Sequence, residues 1–110
     1  MYEYGARLVR VIDADTWVVD IDLGMHIWMH TVKVRGAGVD APELVDGPAW
    51  QAARNWVAVW FAEHCPEQRF TLRTVLDRPD KYGRVLGTVV APDGHVLNED
   101  LIASGHAEVY

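Results

Sequence analysis

The sequence predicts a mainly β domain: a closed five-stranded barrel, with a helix after the third strand and a short helix near the C-terminus. Three observations carry this. Five segments alternate apolar and polar residues with the period of two that a half-buried strand requires. Gly24 marks a turn between the second and third, and Pro92-Asp93-Gly94 a turn after the fifth. One long stretch between the third and fourth segments carries apolar residues at helical spacing instead, at Trp50, Ala53, Val57, Trp60 and Phe61.

The elements follow in order. Residues 4–12 (YGARLVRVI) place Ala6, Leu8 and Val11 on an apolar face. Residues 16–23 (TWVVDIDL) repeat the pattern, and Gly24 marks a turn into residues 25–35 (MHIWMHTVKVR), which makes a three-strand meander. Trp17 and Trp28 are expected to pair across this second hairpin. The helix opens at Pro48, a residue suited to the first helical position because its missing N–H costs nothing there, with Asp46 or Gly47 as its cap. Cys65-Pro66 ends it. Residues 69–77 and 83–91 are the last two strands. Pro92-Asp93-Gly94 is a turn, Asn98 is expected to cap the short helix through Ser104, and Gly105 stops it. Three strands, a helix, two strands and a short helix is the layout of an OB-fold barrel, whose closure removes exposed strand edges. The 110 residues are read as a single domain, 1–110.

Bulk properties bound the function. A formal net charge of −6 and a pI near 5.2 argue against a broad basic surface that holds nucleic acid through many phosphates. They leave room for an enzyme that binds one phosphate locally. A single cysteine, Cys65, allows no internal disulfide, and the reading makes it a buried or half-buried thiol. No apolar run reaches membrane-spanning length, and the start lacks a signal-peptide core. The expected location is therefore cytoplasmic, with secretion open if a leader was removed.

Several motif matches lead nowhere. GAGVDA (36–41) fits a dinucleotide-site pattern, but Pro42 disfavours the helix which that motif must open. The runs that begin at Asp13 and Asp20 lack the full ligand set of an EF-hand. The five histidines show no pair at helical metal-ligand spacing, and His26 with His30 on one strand face reads as surface or packing.

Four segments remain: IDADT (12–16), RGAGVDAPE (35–43), DRPDKYGR (77–84) and LNEDLIASGHA (97–107). In order and approximate spacing they resemble the staphylococcal nuclease (thermonuclease) family, over roughly residues 6–110. The most specific part is V-D-A-P-E with an arginine five residues before its aspartate, followed by D-K-Y-G-R. The resemblance implies a five-stranded OB barrel and a Ca2+-dependent nuclease that acts on DNA and RNA. Cleavage on the 5′-oxygen side would leave 3′-phosphate ends. Position by position it implies Asp15, Asp40 and the Ala41 carbonyl as calcium ligands, and Glu43 as the residue that positions or deprotonates water. Arg35 and Arg84 would clamp the scissile phosphate. Lys81 and Tyr82 would contact the neighbouring phosphate, and Tyr110 would stack on a base.

These residue types suit that chemistry independently. A hard cation takes carboxylate and carbonyl oxygens, a carboxylate can accept a proton from water, and planar guanidinium forks fit phosphoryl oxygens. The alternative reading is a non-catalytic OB-fold module that binds nucleic acid or protein. Three departures from the family pattern stand out. Ala14 replaces the glycine usual between the aspartates, where a positive φ would strain it. The 44–47 loop, LVDG, is short and acidic rather than lysine-rich. The family's larger members add a final helix under the barrel, so apolar surface near the end of this chain would invite a homo-oligomer.

Overall fold

The computed structural model describes residues 1–75 and 83–110. Three long strands come first: β1 (Tyr2–Asp13), β2 (Thr16–Gly24) and β3 (Ile27–Gly36). A short β4 (Val39–Asp40) and a 3₁₀ turn (Leu44–Asp46) lead into α1 (Pro48–His64). A second 3₁₀ turn (Pro66–Gln68), β5 (Arg69–Thr74), β6 (Val85–Val90), α2 (Leu97–Ala103) and β7 (Glu108–Val109) complete the order. The five long strands close in the order β1-β2-β3-β6-β5. The expected five-stranded barrel with its two helices is therefore present.

Every pairing in the barrel is antiparallel except one. β3 and β6 run parallel, with Val34 opposite Val85, Arg35 opposite Leu86 and Gly36 opposite Gly87. This seam brings the two halves of the chain together. Gly36 and Gly87 permit the approach: a Cβ on Gly36 would lie 2.7 Å from Val39 Cγ2, and one on Gly87 would lie 2.7 Å from Leu72 Cδ1. No side chain larger than hydrogen fits at either place without displacing the core.

The core is one cluster that joins barrel and helices. Trp17, Val19, Val34, Leu72 and Val89 come from the strands, Val57, Trp60 and Phe61 from α1, and Leu97 and Leu101 from α2. Gly47 caps α1 and Pro48 begins it, as the sequence indicates. Ala53, Val57, Trp60 and Phe61 are the buried stripe. Trp50 sits half-buried at its edge, and its Nε1 donates to Asp13 Oδ1 at 2.6 Å. Gly105 takes a φ of +81° just beyond α2 and donates to the Ile102 carbonyl, the C-terminal stop expected of it.

Two expectations need correction. Trp17 and Trp28 do not pair: Trp17 lies opposite Val34, and Trp28 opposite Asp22. Met25 and His26 form the turn instead of opening β3, both with positive φ, so the register places the tryptophans at opposite ends of the hairpin. Trp28 instead lies under the Arg7 guanidinium, 5.9 Å from ring centroid to Cζ. Asn98 is not the cap of α2 either. Val96 occupies that position, and Asn98 lies inside the helix, 6% exposed, as a buried bracket described below.

Candidate active site

The site grows from the end of the β1–β2 hairpin and the end of β3. Asp15 closes the first turn, only 8% exposed. Its backbone carbonyl accepts the Gly36 N–H at 2.8 Å, which fastens the turn to the last residue of β3. Its Oδ2 accepts the Ala41 N–H at 2.9 Å. Thr16 Oγ1 lies 3.4 Å from Oδ1. A carboxylate buried this deeply needs such donors, because the charge would otherwise be costly to desolvate.

Arg35 supplies the countercharge. Its Nη2 lies 3.3 Å from Asp15 Oδ2 and 3.6 Å from Asp40 Oδ1. Its Nη1 donates to the Val39 carbonyl at 2.8 Å and to the Gly36 carbonyl at 3.1 Å. The planar fork is thus held on both sides, by two carbonyls and two carboxylates. The Tyr110 ring lies 5.7 Å from Arg35 Cζ, and its backbone N–H donates to the Gly38 carbonyl. The structure therefore gathers Asp15, Arg35, Asp40, Ala41 and Tyr110 at one place.

Glu43 is exposed and opens the 3₁₀ turn, where its backbone N–H donates to Asp46 Oδ2 at 2.7 Å. Among the described residues, the three ligand-type side chains whose atoms lie within 4.8 Å of one another are His64, Asp93 and His95, and not Asp15 and Asp40 with Glu43. Arg84 is half-buried and immediately precedes β6, next to the residue that pairs with Val34 on the strand carrying Arg35. Lys81 and Tyr82 lie outside the described residues.

Ala14 shows how the site accommodates a departure from the family pattern. It is fully buried and is not among the residues with positive φ. Its carbonyl accepts the Trp17 Nε1 proton at 2.8 Å. Alanine therefore carries no left-handed strain here, and its methyl group fills core space that a glycine would leave open.

A residue that sequence reasoning missed holds the site loop in place. The Asn98 amide donates to the carbonyls of Ala37 (3.0 Å) and Gly87 (3.1 Å), and its oxygen accepts the Val89 N–H at 3.1 Å. Ala37 N–H also donates to Gly87 O at 2.8 Å. One buried amide thus joins α2, β6 and the loop that leads to Asp40. The signal available in the sequence was an asparagine one residue inside an apolar helix start, which reads equally well as a cap.

The oxygen set fits a hard divalent cation. Asp40 is exposed enough to exchange ligands, its carboxylate 55% accessible, and it borders a cavity of about 280 Å³ with Ala41, Pro42, Asp46 and Glu108. Asp15 and Asp40 face the one guanidinium of Arg35, and Asp46 and Glu108 line the same cavity as Asp40. Carboxylate and carbonyl oxygens suit calcium or magnesium better than zinc, and the His106 imidazole that also lines this cavity stacks on Trp56 and has its Nδ1 2.9 Å from Ser104 Oγ.

Comparison with known proteins places the chain in a family. The chain is 31% identical to endonuclease YhcR of Bacillus subtilis (strain 168) over 117 aligned positions, which cover 98% of this chain and 9% of that protein. It is 35% identical to an uncharacterized endonuclease of Escherichia coli over 104 positions, 94% of this chain and 60% of the relative. It is 34% identical to the probable endonuclease LCL3 of Uncinocarpus reesii (strain UAMH 1704) over 85 positions, 73% of this chain and 27% of the relative. The chain thus spans between about a tenth and three fifths of the length of these relatives. No helix among the described residues is long and apolar enough to cross a membrane. The family profile described as staphylococcal nuclease homologue matches residues 33–110, which include the Arg35 fork, Asp40, Glu43 and the β3–β6 seam, and the chain belongs to that family.

Proposed function

We propose that this domain is a Ca2+-dependent nuclease that hydrolyses phosphodiester bonds of DNA or RNA and leaves 3′-phosphate ends. The observation that supports this reading best is the Arg35 fork, whose Nη2 faces both Asp15 and Asp40 while its Nη1 is held by two backbone carbonyls. Asp15, Asp40 and the Ala41 carbonyl would hold the ion. When bound, it neutralises these carboxylates and supplies Lewis-acid polarisation to a phosphoryl oxygen.

The chain's own residues do the rest. Arg35 is oriented before substrate arrives, because the Val39 and Gly36 carbonyls hold its Nη1. Its guanidinium and that of Arg84 donate to the phosphoryl oxygens on which charge builds as water attacks phosphorus. Glu43 accepts the proton of that water, the new P–O bond forms, and the bond to the 5′-oxygen breaks, the leaving oxygen taking up a proton from solvent to become the 5′-hydroxyl. Lys81 and Tyr82 contact the neighbouring phosphate, and Tyr110 offers its ring to a base. Three endonuclease-named relatives at 31–35% identity support the reaction class.

Digestion of single-stranded DNA with calcium, with chelator, and by the Glu43→Gln variant in calcium tests the reading. Cleavage in the first case and a loss of at least ~10²-fold in the other two are expected. Equal digestion in all three overturns it. Tight single-strand binding without cleavage in calcium favours a binding module instead.

A further inference from the structure

At the far end of α1 from the site just described, three side chains of metal-ligating type come together. His64 is the last residue of α1, and Asp93 and His95 lie in the turn between β6 and α2. One ligand atom from each falls within 4.8 Å of the others. The two imidazole rings stack with centroids 4.3 Å apart and an interplanar angle of 28°. His64 Nδ1 lies 2.7 Å from Asp93 Oδ2. Trp60 lies alongside, its ring 5.0 Å from that of His64.

We infer that His64, Asp93 and His95 form a binding site for a borderline transition-metal ion, Zn2+ in the first instance. The donor chemistry separates it from the oxygen site: two imidazoles and one carboxylate suit zinc, cobalt, nickel or copper, and disfavour calcium. His95 Nδ1 sits 2.9 Å from Asp100 Oδ2, so its Nε2 is left to coordinate while the carboxylate orients the ring, the usual outer-shell arrangement of a metal-bound histidine. Asp100 is itself fixed by the Trp60 Nε1 proton at 2.8 Å. Solvent can deliver the ion, since the side chains of His95 and Asp93 are 53% and 45% exposed and the cluster adjoins a cavity of about 330 Å³ between α1 and α2. Three protein ligands leave a fourth position for water.

The ion would act as a clasp. It would tie the end of α1 to the turn from which α2 starts, and α2 carries Asn98, the bracket of the Asp40 loop. His64, Asp93 and His95 share no residue with the candidate active site. The clasp therefore does not depend on the nuclease reading, and its readout is stability and spectroscopy.

The test uses the untagged chain with Zn2+ and Co2+. Binding of a single Zn2+, a rise in Tm of about 5 °C or more at saturating zinc, and the visible absorption of tetrahedral Co2+ are expected. All three should vanish in the His64→Gln/His95→Gln double variant and weaken in Asp93→Asn, while any rise in Tm with Ca2+ should persist in the double variant. Absence of Zn2+ binding at ~100 µM, or binding undiminished in the double variant, overturns the assignment. Should the double variant fail to fold, histidine ring NMR of the unmodified protein decides: zinc must shift His64 and His95, and shifts confined to His26 and His30 refute the site.

Discussion

Replacing Asn98 by alanine tests how the candidate site is held. The side chain makes three hydrogen bonds from a position 6% exposed, to Val89 N–H, Ala37 O and Gly87 O. Each buried bond contributes about 1 kcal/mol net, and a buried partner left unsatisfied costs more. Gly87 O keeps the Ala37 N–H, so the heavier losses fall on the Val89 N–H and the Ala37 carbonyl. The sum is a destabilisation of about 3 kcal/mol, a large share of what a domain this size has in hand. Urea denaturation of both proteins should show it as a lower midpoint at unchanged m, together with a Tm about 10 °C lower. Asn98→Asp sharpens the test. It keeps the acceptor for Val89 but turns a charged oxygen toward two carbonyls, so it should be at least as damaging at pH 7 and recover in part when the carboxyl protonates. A loss under about 1 kcal/mol for alanine, or an aspartate variant as stable as the parent, would refute the bracket.

Three further outcomes are expected. Arg35→Lys should lower cleavage by about 10²–10³-fold, because an ammonium cannot span Asp15, Asp40 and two carbonyls while offering a fork to phosphate; steady-state kinetics with calcium check it. Cys65, 2% exposed, has its thiol pushed by burial from 9.0 up to about 12, with the negative charge of Asp93 adding to the effect. A folded-state value above the unfolded one means that its contribution to stability is complete below pH 9 and is lost as pH rises toward 12, so the protein should resist Ellman's reagent at pH 8 until it is unfolded, and stability should fall less between pH 9 and 12 in Cys65→Ala. Thr74 Oγ1 is the buried side-chain atom that lacks a hydrogen-bond partner among the described residues, so Thr74→Val should stabilise by about 1 kcal/mol in a thermal melt.

The barrel was legible because period-two alternation and glycine turns act locally, and each strand carries its own signal. The residues that touch Arg35 were legible for another reason: they sit in short motifs whose spacing the family resemblance fixes. What escaped depends on distant partners. Asn98 reads as a cap because a helix start offers the same residue two uses, and only the packing of α2 against β6 selects the buried one. Trp17 and Trp28 were matched by type, whereas the register follows from two residues with positive φ at Met25 and His26, of which only the histidine is a type enriched in that conformation. The His64–His95 stack had no local signal, since the two rings meet only where α1 ends beside the β6–α2 turn.

The parallel seam between β3 and β6 has a temporal consequence. The strand that bears Arg35 and the strand that follows Arg84 become neighbours only when segments separated by the whole of α1 and β5 zip together. Such long-range closure is slow relative to the hairpins, which can form on their own. During refolding, nuclease activity should therefore lag behind secondary structure, and a chain interrupted before β6 should hold its first three strands yet lack the second half of the proposed phosphate grip.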